Sequence, residues 1–251
     1  MPHPLIVIPA RMAAERLPGK PLAEISGSPL IVHVWRRAMA ARLGPVLVAT
    51  DAPEIAGAVE VAGGEAVMTR PAHRSGSDRV LEAVTKADPA GRHEIVVNVQ
   101  GDMPDISSEA LHAAVHLLAD RFVDIGTLAA PVAEPRRGGE PSVVKVVGAE
   151  IAPNRLRALY FSRVAVPWGE GEFLGHIGVY AFRRAALARF GSLPCSALEK
   201  RERLEQLRAL EAGMRIDVAL IDEAPISVDT PADLARARAS FGSQAPERGK
   251  S

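Results

Sequence analysis

Short runs of β-branched and apolar residues alternate along this chain with longer amphipathic stretches, and that alternation predicts an α/β fold. Leu5 to Ile8 reads as a strand buried on both faces, ending at Pro9, which cannot continue a ladder. A helix is expected from Leu30 to Arg42, a strand over Val46 to Ala49, and a helix over Glu54 to Ala62 stopped by Gly63-Gly64. Glu65 to Met68 is a short strand, and Ser75-Gly76-Ser77 opens the helix carrying Val80, Leu81 and Val84. Glu94 to Val99 is the most strongly apolar strand in mid-chain. Ser107 then caps a helix to about Ala119, and Val123 to Ala130 returns as a strand.

The pattern changes at Pro131. Pro131 to Pro141 has no period and reads as an exposed connection around Arg136, followed by β-rich stretches at Ser142 to Val147, Leu159 to Pro167 and Gly175 to Phe182. Together they are expected to form an insertion at about 131–182 that lids a site and offers a subunit-contact surface. Ser196 to Glu199 is a capping box opening a helix ended by Gly213. A strand at Arg215 to Leu220 and a helix from Ala232 to about Ser240 close the chain. The expectation is one domain over 1–241: a mostly parallel mixed sheet with helices on both faces and a β-rich insertion. Residues 242–251 are expected to be a frayed tail.

With 251 residues, 47% hydrophobic and 24% charged, the chain can bury a sizeable core, which excludes a disordered or fibrous protein. Thirty basic and thirty acidic residues cancel, so no global field recruits nucleic acid or an anionic membrane. Any anion must be bound locally. The single cysteine, Cys195, excludes an internal disulfide and fits a reducing compartment. No leader pattern opens the chain and no run of about eighteen apolar residues occurs, so a cytoplasmic location is expected.

Candidate chemistry gathers at strand ends. The loop after the first strand carries Arg11, Arg16 and Lys20, the residues a triphosphate needs at the carboxyl end of a central strand. It is not a Walker A loop, since Pro21 follows Lys20, and no Gly-x-Gly-x-x-Gly is present to suggest a dehydrogenase. Ser75 and Gly76 would offer free amides to an anion at a helix start. Arg79 lies in the first turn of that helix, where a positive charge opposes the dipole and so needs another reason. Asp102 follows a Gly after the mid-chain strand, and Asp229 precedes the last helix. Both belong at the carboxyl edge of the sheet and are expected to share one Mg²⁺.

Several blocks carry a resemblance: Ile8-Pro-Ala-Arg11 through Lys20, Ala49-Thr-Asp51, His73-x-Ser-Gly-Ser-Asp-Arg79, Asn98-Val-Gln-Gly-Asp102, Tyr160-Phe-Ser-Arg163, His176-x-Gly-x-Tyr180, Leu204-Glu-Gln-Leu207 and Val228-Asp-Thr-Pro231. In this order they resemble the 3-deoxy-manno-octulosonate cytidylyltransferase family. Two departures are Met103 where the family often has Glu, and a short segment between Trp168 and His176. The resemblance implies a Rossmann-like nucleotidyltransferase fold, a homodimer, and Mg²⁺-dependent attack by the anomeric hydroxyl of 3-deoxy-manno-octulosonate (Kdo) on CTP for lipopolysaccharide assembly. It places Arg11, Lys20, Gln100 and Asp102 on the nucleotide and metal side. It places Arg79, Arg163, His176, Tyr180, Glu205 and Gln206 on the sugar side. Because phosphoryl transfer of this kind rests on positioning and electrostatics, His176 is expected to be a donor to sugar hydroxyls and not a general base. A different 2-keto sugar acid, another nucleotide, or a catalytically silent binding protein are the competing readings.

Overall fold

β1 (Leu5–Ala10) is apolar without alternation because both of its faces are covered. Ile6 and Ile8 point into one hydrophobic cluster, Leu5 and Val7 into the other. The computed structural model describes residues 3–13, 16–73, 75–132 and 139–243, so Arg136, Arg137 and residues 244–251 of the expected tail lie outside the described residues.

After β1 come a single 3-10 turn at Lys20–Leu22, a hairpin of β2 (Glu24–Ile25) and β3 (Ser28–Pro29), and α1 (Leu30–Ala40). Then β4 (Val46–Thr50), α2 (Pro53–Val61), β5 (Glu65–Met68), α3 (Gly76–Ala87) and β6 (Ile95–Asn98) follow the expected order closely. α4 (Ser108–His116) leads to β7 (Ile125–Pro131), and β8 (Lys145–Ala152) and β9 (Arg155–Ser162) form a long hairpin. β10 (Leu174–Arg183), α5 (Arg184–Ser192), α6 (Ala197–Glu202), α7 (Gln206–Glu211), β11 (Ile216–Leu220) and α8 (Pro231–Ser243) complete the chain.

Among the described residues the main sheet has nine strands, in the order β5-β4-β1-β6-β10-β7-β11-β9-β8. It is mixed. The pairings β5–β4, β4–β1, β1–β6 and β7–β11 are parallel, and the rest are antiparallel. α1, α2 and α4 pack on one face through Ile31, Ile55 and Leu111; α3, α5 and α7 pack on the other through Val80, Phe190 and Leu207. α8 covers the small hairpin in a third cluster of Ile25, Leu30, Val228 and Leu234, which brings the Asp229 segment back to the start of the chain.

The structure corrects the expectation at four places. β1 does not end at Pro9 but runs through it to Ala10, in parallel register with Ala49 and Thr50. β10, expected within a peripheral insertion, lies between β6 and β7, antiparallel to both, with Val179 to Phe182 buried in the core. The hairpin turning at Asn154, in the left-handed region at φ 55°, was not expected. The single helix expected from Ser196 to Gly213 is two, broken at Arg203 with φ 56°. That break turns Glu205 and Gln206 inward. The capping box of Ser196 and Glu199 is present as expected. Lys145, fully buried, fastens the base of the β8–β9 hairpin by donating to the carbonyls of Glu140, Val143 and Arg163.

Candidate active site

Beyond the carboxyl ends of β1 and β6 the chain leaves a cleft of about 480 Å³. Arg11, Arg16 and Lys20 line it from the loop after β1, Ser75 and Gly76 from the start of α3, and Gln100 from the turn after β6. All the residues expected on the nucleotide side are therefore together. Parallel strands present their carboxyl ends on one edge, and α3 begins at that edge, so its first amides face the same space. Ser75 caps the helix, its Oγ accepting from the Asp78 amide at 3.2 Å. Gly101 allows the two loops to meet: a Cβ there would stand 3.0 Å from the Pro9 carbonyl oxygen. That close approach sets Asp102 at the floor of the cleft.

Asp102 and Asp229 converge as expected. The Lys20 ammonium donates to Asp102 Oδ2 and Asp229 Oδ1, each at 3.0 Å, and Arg16 reaches Asp229 Oδ2 at 3.2 Å. The Val228 amide donates to the Asp102 carbonyl at 2.9 Å, tying the two segments by their backbones. Burial pushes the Lys20 ammonium down, but the two carboxylates outweigh it and its pKa is raised. Burial raises Asp102 despite the nearby ammonium. Asp102 Oδ1 is buried with no hydrogen-bond partner among the described residues. An orphaned carboxylate oxygen beside a second carboxylate fits a hard divalent cation. Among the described residues no group of three His, Cys, Asp or Glu side chains is placed to hold a metal, so remaining ligands would be water and phosphate oxygens.

The sugar-side expectations fare unevenly. Arg79 lines the cleft and is nearly buried, its guanidinium donating to Thr69 Oγ1 at 2.6 Å and facing Asp51 Oδ1 at 3.3 Å. Asp51 thus explains a cation in the first turn of α3. Arg163 stands apart: it donates to the carbonyls of Glu202, Pro141 and Arg203, so its fork is engaged with backbone and not poised for a carboxylate. His176 on β10 packs against Phe161 and Tyr180, with ring centroids 4.9 and 5.5 Å away. The Thr127 hydroxyl donates to the Val179 carbonyl at 2.7 Å, leaving its oxygen to accept from His176 Nε2 at 2.9 Å. Desolvation holds the imidazole down at about 3, so the ring is neutral and its one proton is on Nε2. In this tautomer Nδ1, the remaining ring atom, offers an acceptor, and the Nε2 proton is engaged with Thr127.

Glu205 Oε1 accepts from Ser77 at 2.8 Å, whereas Glu205 Oε2 and Gln206 Nε2 are buried without partners among the described residues. The carboxylate acts on the Tyr180 phenol, whose pKa burial already raises. His176, Tyr180 and Glu205 thus border one region, with Gln206 the next residue in the chain after Glu205. Sequence reasoning missed Asn98, Ser77, Thr127 and the carboxylate Glu82, which holds His73 at 2.6 Å. Asn98 had a visible signal, a polar residue closing an otherwise apolar strand. Ser77 was hidden by its neighbour's capping role.

A basic loop, a helix start and two carboxylates at the carboxyl edge of an α/β sheet define a nucleotidyltransferase. Residues 5–216 match the family model described as cytidylyltransferase. A 3-deoxy-manno-octulosonate cytidylyltransferase from Methylobacterium radiotolerans is 62% identical over 239 residues, 95% of this chain and 97% of the relative. The protein of that name from Rhodopseudomonas palustris is 60% identical over 246 residues, 97% of this chain and 100% of its own length. A solved CMP:2-keto-3-deoxy-manno-octonic acid synthetase complexed with CTP superposes with a TM-score of 0.88 at 39% identity, covering 95% of this chain and 98% of that one. The chain belongs to the 3-deoxy-manno-octulosonate cytidylyltransferase family.

Proposed function

We propose that this chain transfers CMP from CTP to the anomeric hydroxyl of Kdo, releasing pyrophosphate and supplying CMP-Kdo for lipopolysaccharide synthesis. The observation that carries the reading is the Lys20, Asp102 and Asp229 constellation on the floor of a cleft lined by Arg11, Arg16 and a helix start. Arginines and helix amides bind and orient the triphosphate, so its α-phosphorus lies near Lys20. Lys20 offsets charge that builds on the phosphate as the sugar oxygen bonds to phosphorus and pyrophosphate departs. No covalent intermediate is needed. Asp102 and Asp229 would hold Mg²⁺, which when bound acidifies the attacking hydroxyl and shields the phosphates. Arg79, His176, Tyr180, Glu205 and Gln206 would take the sugar acid, with Arg79 the cation nearest its carboxylate.

The reading includes a homodimer in the cytoplasm. Leu159, Val164 and Trp168 are exposed on β9 and the loop after it, apolar surface that a second copy would cover. Of the region expected as an insertion, the β8–β9 hairpin and the loop after β9 would take part in that contact, and β10 would not. Among the described residues no helix is long and apolar enough to cross a membrane. The test is pyrophosphate release over four nucleoside triphosphates and several sugar acids, with and without Mg²⁺. CTP with Kdo should lead every other pair. A stronger signal with UTP or GTP and a neutral sugar phosphate would sink the reading, and one with sialic acid would change the sugar.

A further inference from the structure

Between the nucleotide cleft and buried Glu205 runs a chain of hydrogen bonds that points one way. Gln100 Nε2 donates to Asn98 Oδ1 at 3.4 Å, Asn98 Nδ2 donates to Ser77 Oγ at 3.2 Å, and the Ser77 hydroxyl donates to Glu205 Oε1 at 2.8 Å. Asn98 and Ser77 are buried, at 0% and 1% exposure, so neither can turn to water for another partner. Their order is enforced by the chemistry of the ends. Glu205 accepts, so the one Ser77 proton goes to it; Ser77 must then accept from the Asn98 amide, whose oxygen is left to Gln100.

Both ends leave an atom free for ligand. Gln100 lines the nucleotide cleft with its amide fixed in orientation. Glu205 Oε2 and Gln206 Nε2 are each buried without a partner among the described residues, one an acceptor and the other a donor, as the hydroxyls of a sugar would need. Asn98, the middle of this chain, stands in register with Tyr180 on β10.

We propose that Ser77 and Asn98 are positioning residues that couple the two substrate subsites, holding Glu205 for the acceptor sugar in the orientation set by Gln100 at the nucleotide. This rests on the function proposed above. Neither residue touches a reacting atom; both act through Glu205 and Gln100.

The experiment is steady-state kinetics of the full chain with CTP and Kdo varied independently, in wild type, Ser77→Ala, Ser77→Thr and Asn98→Asp, alongside thermal melting. Ser77→Ala removes only a hydroxyl, and it should raise KM for Kdo about tenfold, the loss of one buried hydrogen bond, with KM for CTP within about twofold. Ser77→Thr keeps the hydroxyl and should restore KM for Kdo. Asn98→Asp still accepts from Gln100 but cannot donate to Ser77, so it should reproduce the Kdo defect. A folded Ser77→Ala enzyme with unchanged KM for Kdo, or with both KM values raised equally, overturns the coupling. Loss of fold in both Ser77→Ala and Asn98→Asp would make the chain a structural tie only. Wild type that turns over CTP with another acceptor and not Kdo overturns the proposed sugar instead, and the Ser77→Ala shift is then read with that acceptor. Wild type with no turnover overturns both.

Discussion

Asp102 and Asp229 reach the same ammonium, each placing one carboxylate oxygen 3.0 Å from Lys20 Nζ. Neither residue lies near the other in sequence; the sheet edge brings them together. Asp102→Asn and Asp229→Asn should each lower turnover by two orders of magnitude or more, about 3 kcal/mol in the barrier. The double variant should be little worse than either, because both damage one site. Melting temperature should hold, since burial already disfavours charge at Asp102 and a neutral amide relieves that cost. Near-normal turnover by folded Asp229→Asn at saturating Mg²⁺ rules the shared cation site out.

His176 should not titrate in the working range. Its pKa is held at about 3 by desolvation, against an ordinary 6.5. The kcat profile between pH 6 and 8 should therefore be the same in His176→Gln as in wild type, although the level falls. Stability moves differently. A depressed histidine pKa contributes fully above about 6.5 and is lost as pH falls toward 3, because the unfolded chain takes up the proton first. Melting curves from pH 7 to 4 should flatten in His176→Gln; an inflection in kcat that vanishes with this variant would make the ring a general base after all.

Arg163→Lys is expected to act on stability, not on substrate. A lysine cannot span carbonyls on both sides of the guanidinium, so about 1 to 3 kcal/mol should be lost, roughly 2 to 4 °C of melting temperature per kcal/mol. CTP binding should be unaffected. An unchanged melting temperature with a selective rise in KM for Kdo would return Arg163 to the sugar carboxylate.

Glu82 fastens the loop that overhangs the cleft. It accepts from the Arg70 amide at 3.2 Å, Lys86 at 2.7 Å and His73 at 2.6 Å. Burial alone would raise its pKa, but these donors hold it at about 2, below the ordinary 4.5. Its contribution is present above about 4.5 and lost as pH falls toward 2. Glu82→Gln should abolish that acid-dependent loss, read as chemical denaturation midpoints between pH 5 and 3. Parallel curves for wild type and variant would show that the staple contributes nothing.

What could be read from the residues was whatever depends on local spacing. Strand ends, the cap at Ser75, and Arg11, Lys20, Asp102 and Asp229 at one edge all follow from short-range pattern plus the geometry of parallel strands. What could not be read depends on partners distant in sequence. Arg163 looks like any arginine free to bind a ligand until Glu202 and Pro141 fold back onto it. His176 shows its tautomer only through Thr127 on a neighbouring strand. The break at Arg203 escapes detection because a non-glycine residue occupies a left-handed position.

The place of β10 has a consequence for how the chain is made. Until residues 180–183 leave the ribosome, β6 is the raw edge of a four-stranded parallel half, with Ile95, Val96, Val97 and Asn98 facing no neighbour on that side. An apolar edge with unpaired amides is a template for association with another chain. The closing partner comes from roughly eighty positions downstream, a distant contact of the kind that forms slowly. The strand that carries His176 and Tyr180 is therefore also the stopper of the nascent sheet, so substitutions in it are expected to reduce the yield of folded protein as well as sugar use.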